Sequence, residues 1–351
     1  MNQRIAYGGR GPIRTERGVP PRKSWLALAL ALACFSLPAH AEWVRRVTDG
    51  IMGTRITVEL WAENQDKGNQ AIDAVLAEMR HIDDTMSTYK PTSEVSQVNA
   101  HAADGPMHIS KELFDLLTTA RQYSEITDGA FDITYASVGY MYDFRKHIRP
   151  DDEQIAKALP AINYRHVILD PANQTVRFSQ KGVRIDLGGI AKGYSVDRGI
   201  EVLKALGYTR AYVGAGGDSR IIGDRFGKPW IVGIRDPRKG EGNVIARIPL
   251  VDAAISTSGD YERFFEENGV RYHHIIDPHT GHSASKVESA TVIGPYATRT
   301  DGLSKTAFVL GPEKAMEIYN RLDDIDAIIV KLDGTIVYSK GMQRARQTQP
   351  P

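Results

Sequence analysis

Residues 183–194 read Val183-Arg-Ile-Asp-Leu-Gly-Gly-Ile-Ala-Lys-Gly-Tyr194, a β-type run that enters paired glycines and continues as a helix-type run. Val183–Leu187 has the pattern of a short strand, and a helix is predicted from Ala191 to Leu206, closed by Gly207. Glycines let a ligand approach the backbone, and the free N–H groups at a helix start favour anions. The stretch fits a pyrophosphate site, although a tight turn that needs glycine for its backbone angles gives the same pattern.

Short strands and amphipathic helices flank this stretch on both sides. Arg55–Leu60 alternates as a strand does, and helices are predicted at 71–86 and 111–126 from their apolar stripes. Short β-type runs dominate the second half, where Asp333-Gly334 between two such runs is a strong hairpin signal. The sequence therefore predicts an α+β fold with mixed sheets flanked by helices.

Composition and charge set limits on the class of protein. The chain has 351 residues, 42% hydrophobic and 25% charged, which is typical of a soluble globular protein. Its net charge is +1, and the first 41 residues hold six Lys/Arg but one acid, so the remainder is slightly acidic. Such a body gives no electrostatic reason to expect nucleic-acid binding. We predict one domain over residues 42–342 and a disordered polar tail at 343–351.

Residues 1–41 have the features of an export signal. Arg22 and Lys23 precede the apolar run Trp25–Ala33, and Ala39-His40-Ala41 is a small-x-small cleavage pattern. The run is short for a transmembrane helix, and a membrane anchor that stays attached is the alternative. The signal predicts an exported, periplasmic protein.

The single cysteine of the chain lies inside this predicted signal. Cys34 follows Ala31-Leu32-Ala33, which is similar to a weak lipoprotein box. Anchoring to the inner membrane through a lipid on Cys34 is thus the alternative to cleavage after Ala41. Beyond position 41 there is no cysteine, which excludes disulfides, zinc-thiolate sites and thiol catalysis there.

Three further stretches carry candidate chemistry. Val213-Gly-Ala-Gly-Gly-Asp218 lacks the third glycine of a dinucleotide fingerprint, since Ser219 stands there. Residues 272–281 hold three histidines without a zinc spacing, so a catalytic histidine is favoured over a histidine-bound metal, with a polar strand end as the alternative. In 300–307, Asp301 and its neighbouring hydroxyls offer the hard oxygen ligands that Mg²⁺ takes beside phosphates; a helix cap is the alternative.

Taken together, these stretches resemble the FAD:protein FMN transferase family, also called the ApbE or thiamine-biosynthesis lipoprotein family. The resemblance runs from about Met52 to Gly311 and rests on motifs that follow the family's order. The matching motifs are Met52-Gly-Thr54, Met86-Ser-Thr-Tyr89 with Ser93-Glu94, Gly129-Ala-Phe-Asp132, Asp186-Leu-Gly-Gly-Ile-Ala-Lys-Gly193, Gly216-Gly-Asp218, Thr257-Ser-Gly259, His274-Ile-Ile-Asp-Pro278 and Asp301-Gly-Leu-Ser304. The resemblance implies an ApbE-like flavin-transferase fold.

The resemblance also implies which residues bind FAD, the substrate. Gly188 and the helix start as far as Tyr194 would lie along the pyrophosphate. Residues from three other motifs would hold the flavin and adenosine parts or lie beside them. These are Met52, Tyr89, Ala130, Phe131, Asp132, His274 and Ile275.

A Mg²⁺ site is implied by the same resemblance. The backbone carbonyl of Ala191 and the carboxylate of Asp301 would be ligands. The family often places a threonine ligand four residues after the aspartate, where this chain has Lys305. Because an ammonium cannot ligate a metal, Ser304 and Thr306 are the candidates to replace that threonine.

The implied reaction is attack of a Thr or Ser hydroxyl of an acceptor protein on the FMN-side phosphorus of FAD, with AMP leaving. The acceptor needs a base; His274 is the first candidate and Asp218 the second, and an ordinary histidine predicts a rate that rises through about pH 6.5. The implied partners are acceptor flavoprotein subunits of membrane redox complexes. Alternatives are an FAD pyrophosphatase that gives FMN and AMP, an exported FAD-binding protein without activity, and a periplasmic flavin oxidoreductase.

Overall fold

The computed structural model describes residues 41–240 and 242–348, so residues 1–40 of the predicted export signal, including Cys34, lie outside it. Its centre is an eight-stranded sheet in which every neighbouring pair runs antiparallel. The sheet order is β1 (Glu42–Ile51), β2 (Thr54–Ala62), β6 (Ala211–Ala215), β7 (Asp218–Ile222), β10 (Ala254–Gly259), β13 (Val287–Gly294), β14 (Asp326–Lys331) and β15 (Ile336–Tyr338).

Three small antiparallel sheets accompany the central sheet. The first contains β3 (Met107–His108), β5 (Thr175–Phe178) and β4 (Val167–Asp170). The other two are the pair β8 (Trp230–Arg235) with β9 (Val244–Leu250) and the pair β11 (Phe264–Glu267) with β12 (Val270–His273).

The α-helices of the described ranges complete the predicted α+β fold, which is confirmed. They are α1 (Gln65–Met86), α2 (Glu94–His101), α3 (Lys111–Ile126), α4 (Ala136–Gly139), α5 (Asp152–Ala158), α6 (Ala191–Ala205), α7 (Ala297–Leu303), α8 (Thr306–Leu310), α9 (Pro312–Tyr319) and α10 (Lys340–Thr348). No helix in the described ranges is both long enough and apolar enough to cross a membrane.

The sequence periodicities explain how the layers pack. Alternate residues of β2 are buried, from Ile56 to Ala62, so one face of the strand meets the apolar stripes of α1 and α6. At the other end of the central sheet, β13 and β14 pack under α7, α8 and α9. Helix α7 contacts α6 as well as β10 and β13 of the central sheet.

The predicted strand at Val183–Leu187 is not a strand in the structure. No neighbouring strand pairs with the segment in the described structure; side chains and the Ile133 carbonyl, which accepts the Asp186 N–H at 3.0 Å, satisfy its backbone. The Asn99 amide donates to the Ile185 carbonyl at 2.8 Å and accepts from the Ile185 N–H at 2.7 Å, while Arg184 N–H donates to the Ser137 hydroxyl at 3.0 Å. An apolar pattern alone cannot distinguish these two ways of pairing an extended backbone.

Helix α10 (Lys340–Thr348) extends into the range 343–351, for which disorder stays a prediction. The helix is anchored at its start because the buried Ser339 hydroxyl donates to the Asp326 carboxylate at 2.6 Å and accepts from Met342 N–H at 3.4 Å. The predicted disorder was based on the polar residues at 343–351. The anchoring residue, Ser339, precedes that range and did not enter the prediction. Residues 349–351 lie outside the described part of the chain.

Helices α6 and α7 cross closely and cap each other. Asp301 of α7 accepts the Gly193 N–H of α6 at 3.0 Å, and Asp197 of α6 accepts the N–H groups of Ala297 and Thr298 at 2.9 and 2.8 Å. Each carboxylate thus satisfies N–H groups that a helix start leaves unpaired. Gly193 allows the approach, since a Cβ there would lie 2.2 Å from the Ala297 carbonyl oxygen.

Replacing Gly193 by alanine is expected to force the two helices apart. We expect Gly193→Ala to lower the free energy of unfolding by about 1–3 kcal/mol, the usual cost of overpacking. Gly105→Ala is the matched control, because a Cβ at Gly105 meets open space, and it should change stability by less than about 0.5 kcal/mol. Chemical denaturation measures both; equal effects would contradict the close crossing.

Candidate functional site

Asp301 lies on a helix that hydroxyl pairs hold to the central sheet. Ser256 pairs with Thr300 at 2.8 Å, and Ser258 pairs with Ser304 at 2.7 Å. Strand residues two apart share a face, as do helix residues four apart, so the two pairs match in spacing. Ser304 also donates to the Asp301 carbonyl at 2.8 Å. The main chain around Asp301 is therefore fixed by the protein itself.

Two lysines and two aspartates form a buried charge cluster at this point: Lys192, Asp218, Asp301 and Lys305. The Lys192 ammonium contacts Asp218 at 2.7 Å and Asp301 at 3.4 Å. The Lys305 ammonium contacts the Asp301 carboxylate and donates to the Asp301 carbonyl at 2.7 Å. Both aspartates are buried, whereas the lysine side chains keep 26% and 16% of their surface exposed. The formal charges of the cluster sum to zero, and its lysine side chains are its partly exposed members.

Burial and mutual charge together shift the pKa values of the four groups of the charge cluster. Burial raises the pKa of the Asp218 carboxyl, and repulsion from Asp301 acts in the same direction. Burial alone would raise the pKa of Asp301, but the two ammonium groups hold it below its ordinary value. Burial opposes the charge of Lys192, yet the two carboxylates raise its pKa above its ordinary value. For Lys305 burial dominates and lowers the pKa.

The residues predicted to bind Mg²⁺ do not, as arranged here, fit a divalent ion. Lys305 contacts one carboxylate oxygen of Asp301, and Gly193 N–H and Lys192 contact the other. The Ser304 hydroxyl is engaged with Ser258, while the Thr306 hydroxyl is buried without a hydrogen-bond partner in the described ranges.

No group of three or more His, Cys, Asp or Glu side chains within the described ranges could hold a metal ion. Mg²⁺ prefers six oxygen ligands in near-octahedral geometry. The assignment of Ala191, Asp301, Ser304 and Thr306 to a metal stays a prediction.

The paired glycines form a turn directly beside the charge cluster. Gly188 N–H donates to the Asp186 carboxylate at 2.7 Å, and a Cβ on Gly188 would lie 2.8 Å from the same oxygen. A Cβ on Gly189 would meet the Phe131 ring at 3.4 Å and the Lys305 stem at 3.7 Å. Only Gly188 is crowded by its neighbour, since a Cβ at Gly189 would make ordinary contacts with Phe131 and with the Lys305 stem.

Asp186, which sequence reasoning did not single out, organises this turn. Besides Gly188, its carboxylate accepts hydrogen bonds from the Thr88 hydroxyl at 2.8 Å and the Tyr135 hydroxyl at 3.0 Å. It thereby ties Thr88 and Tyr135 to the glycine turn. Its position as the acid two residues before Gly188 was the available signal. Lys192, inside the quoted stretch, was missed in the same way.

Met52 occupies a strained turn that reaches the same region. Met52 and Gly53 both have positive φ values, 52° and 65°, and join β1 to β2. A positive φ is uncommon outside glycine, and such positions cluster at ligand sites. The Thr54 hydroxyl lies 2.6 Å from where a Cβ of Gly216 would be, so this turn packs on the turn before Asp218.

A buried loop contains Ala130, Phe131 and Asp132, and the Asp132 carboxylate accepts hydrogen bonds from groups of the protein itself. Asp132 accepts from Thr134 N–H at 2.8 Å, from the Thr134 hydroxyl at 2.6 Å and from Tyr164 N–H at 2.7 Å. Burial raises the pKa of Asp132, although these three bonds favour its charged form. The carboxylate fixes the loop to Thr134 and Tyr164; a contact of the loop with FAD stays a prediction.

The two adjacent histidines have different surroundings. His273 is buried, its Nε2 contacts the Ala284 carbonyl, and its Nδ1 accepts from Ile275 N–H at 3.3 Å, which makes it structural. His274 lies in the bend after β12, and its Nδ1 is buried without a hydrogen-bond partner in the described part of the chain. Ile275 is buried behind it. His274 alone of the pair has an unused ring nitrogen.

Burial is the largest cause of a lowered pKa at His274, which falls to about 3. Positive charge at Arg263, Lys192 and Lys305 also lowers the pKa. Because Lys192 and Lys305 belong to the charge cluster, the cluster acts electrostatically on the His274 imidazole. The imidazole is consequently neutral in the free protein at physiological pH. This pKa differs from the ordinary histidine value of about 6.5 on which the expected pH dependence of the rate was based; that pH dependence stays a prediction.

Two predicted FAD contacts lie apart from the charge cluster. Tyr89 is 86% exposed, and no ring contact holds it in the described structure. The Tyr194 hydroxyl donates to Glu112 at 2.9 Å and lines a polar cavity of about 380 Å³ together with Glu78, His81 and Arg198. The structure brings Asp218, Asp301, Gly188 and Phe131 near one another, and both tyrosines as FAD contacts stay predictions.

Comparisons with known proteins agree with this arrangement. The sequence profile of the ApbE family matches residues 52–329. The FAD:protein FMN transferase of Treponema pallidum (strain Nichols) is 32% identical over 311 residues, which is 83% of this chain and 86% of that protein. That of Haemophilus influenzae is 32% identical over 327 residues, 89% of this chain and 93% of that protein.

Solved structures show the same fold. The ApbE protein from Thermotoga maritima superposes with a TM-score of 0.79 at 35% identity, covering 87% of this chain and 99% of that one. The flavin transferase ApbE from Vibrio cholerae gives a TM-score of 0.75 at 29% identity, again covering 87% and 99%.

The lowered pKa of His274 predicts its titration in the free protein. Its imidazole should stay neutral from about pH 8 down to about pH 5, measured by NMR of the ring resonances assigned with His274→Ala. Because the unfolded histidine takes up its proton near pH 6.5, His274 should weaken folding as the pH falls from about 6.5 toward 3. Proton uptake by folded His274 with a midpoint near 6.5 would contradict its burial.

Proposed function

The chain belongs to the ApbE family, and we propose that it transfers FMN from FAD to a Thr or Ser hydroxyl of an acceptor protein and releases AMP. The observation that carries this proposal is the charge cluster beside the Gly188-Gly189 turn at the start of α6. Fixed ammonium groups and a helix start in one place suit a pyrophosphate. Relatives with the name FAD:protein FMN transferase support the same chemistry.

The proposed step is a phosphoryl transfer without a covalent enzyme intermediate. The acceptor hydroxyl oxygen forms a bond to the FMN-side phosphorus, and the bond from that phosphorus to the bridging oxygen breaks. The electron pair leaves with AMP, and the hydroxyl proton passes to a base. Such a reaction depends mainly on alignment and on neutralised phosphate oxygens.

The charge cluster would supply the neutralised oxygens. The side chains of Lys192 and Lys305 are 26% and 16% exposed, and their ammonium groups are held by the buried carboxylates of Asp218 and Asp301. Because the carboxylates are fixed by the protein, little rearrangement is needed when the pyrophosphate arrives. The donor set at Asp301 does not fit Mg²⁺ as it stands, and no step is assigned to a metal.

His274 is our candidate base, with Asp218 second. The Nδ1 of His274 is buried and unpaired in the described structure, and the imidazole is neutral, so it can accept a proton. Bound FAD brings negative charge that favours the protonated imidazole, which makes proton uptake easier in the complex than in the free protein. Asp218 is less suited because it is already paired with Lys192.

We also propose a cellular compartment for the reaction and a class of acceptor protein. The export features of residues 1–41 support a periplasmic location, with lipid attachment at Cys34 as the alternative to cleavage after Ala41. The acceptors would be flavoprotein subunits of membrane redox complexes whose flavin domains face the same compartment. This part of the proposal rests on sequence alone.

The transfer is tested by intact mass spectrometry of an acceptor domain incubated with FAD and the full chain. The domain should gain one FMN, and its target Thr→Ala variant should gain none. FMN and AMP formed without labelling would instead indicate a pyrophosphatase. Asp301→Asn should remove most transfer, because it leaves two lysines without their shared carboxylate, and should cost about 3–5 kcal/mol of stability.

The role of His274 is tested by substitution. His274→Ala should slow transfer by roughly 10²–10⁴-fold, the usual loss for a general base, with little change in FAD affinity. His279→Ala is the matched control, since His279 is an exposed neighbour paired only with Asp277, and it should keep full activity. Loss of FAD binding in His274→Ala would make His274 a substrate contact and leave the base to Asp218.

A further inference from the structure

We propose that the Lys305 ammonium takes the place of a divalent cation at Asp301, so that this chain transfers FMN without a bound divalent metal. The inference rests on the proposed function and adds the source of positive charge. Its basis is the contact of Lys305 with the Asp301 carboxylate and carbonyl, at the position where the sequence resemblance led us to expect a hydroxyl ligand.

Helix geometry directs this contact. Lys305 follows Asp301 by four residues across the junction of α7 and α8, so the two side chains lie on one face. The Asp301 backbone is already fixed through Ser304 and its hydroxyl partner Ser258. The ammonium therefore reaches the carboxylate without any rearrangement, and Asp301 is neutralised before a ligand binds.

The Lys305 ammonium keeps one donor for the substrate. An ammonium has three N–H donors, and in the described structure two are directed to the carbonyl and the carboxylate of Asp301. The stem passes Gly189, with Cε 3.7 Å from where a Cβ of that glycine would be. The third donor is thus available beside the turn proposed to bind pyrophosphate.

Lys192 has a parallel arrangement on the opposite side of Asp301. Its ammonium contacts Asp218 and Asp301, which again leaves one donor unused in the described structure. The two lysines can each offer one charge-assisted hydrogen bond to phosphate oxygens. Asp218 and Asp301 already balance the two ammonium charges, so the cluster would offer the pyrophosphate two oriented N–H donors in place of the ligand bonds of a divalent cation.

A divalent ion would have to displace this arrangement. To reach the Asp301 carboxylate it must remove Lys305 from one oxygen and approach Lys192 near the other. Both ammonium groups repel a cation, and neither can serve as its ligand. Lys305→Thr would remove one positive charge and supply a hydroxyl oxygen as a metal ligand. Both changes favour binding of a divalent metal at Asp301.

The experiment compares metal dependence in the full chain and in Lys305→Thr. FAD and an acceptor domain are incubated with metal-free protein in EDTA or in Mg²⁺. The unaltered chain should transfer FMN at rates within about twofold in both, whereas Lys305→Thr should lose roughly 10²–10³-fold in EDTA and recover in Mg²⁺. Lys314→Thr, an exposed lysine of α9, is the matched control and should behave as the unaltered chain does.

A second measurement does not depend on activity. Mn²⁺ serves as the probe ion, and its binding is followed by electron paramagnetic resonance. In the unaltered chain, Asp301→Asn should remove no Mn²⁺ binding, because no Mn²⁺ site at Asp301 is expected there. The Lys305→Thr variant should gain one Mn²⁺ site, and that site should depend on Asp301. This measurement on the unaltered chain also decides the inference if Lys305→Thr does not fold.

The outcomes separate this inference from the proposed function. Transfer by the unaltered chain that disappears in EDTA and returns with Mg²⁺ overturns the inference and leaves the proposed function intact. Absence of transfer under every condition overturns the proposed function, and Mn²⁺ binding then decides the inference alone. An Asp301-dependent Mn²⁺ site in the unaltered chain overturns it.

Discussion

The exchange of carboxylates between the starts of α6 and α7 is the interaction on which the site depends. Neither helix has a side-chain cap at its own N-terminus, where Ile190 and Tyr296 stand. The Asp301 carboxylate accepts the Gly193 N–H at the start of α6, and the Asp197 carboxylate accepts the Ala297 N–H at the start of α7. A helix start buried without such partners would be costly. Asp301 is consequently held in place by the fold itself, whatever else it contacts.

This structural role explains the chemistry available at the cluster. One oxygen of Asp301 serves the start of α6, and the other is left to pair with Lys305. The carboxylate thus orients positive charge toward the glycine turn before any substrate is present. Preoriented charge of this kind contributes most when it is partly removed from water, as it is here. In this ApbE-family protein, stability and the substrate recognition that we propose therefore share one side chain.

Sequence patterns predicted the structures that depend on residues close together in the chain. They did not predict the contacts between residues far apart in it. The start of α6, the Asp333-Gly334 hairpin and the motif order were all readable because each depends on residues close in sequence. The segment 183–187 was misassigned because its partner, Asn99, lies 86 residues away. The contact between Lys192 and Asp301 spans 109 residues, and the burial of His274 depends on residues distant in the chain. Sequence showed which residues carry chemistry, but not which of them would neutralise each other.

The most direct test is a crystal structure of the protein with FAD, grown without divalent metal. The account predicts phosphate oxygens within about 3 Å of the Lys192 and Lys305 ammonium groups, beside the Gly188-Gly189 turn, with Asp301 still accepting the Gly193 N–H. FAD phosphates in the cavity lined by Tyr194 and Arg198, with both lysines paired only to their carboxylates, would contradict it.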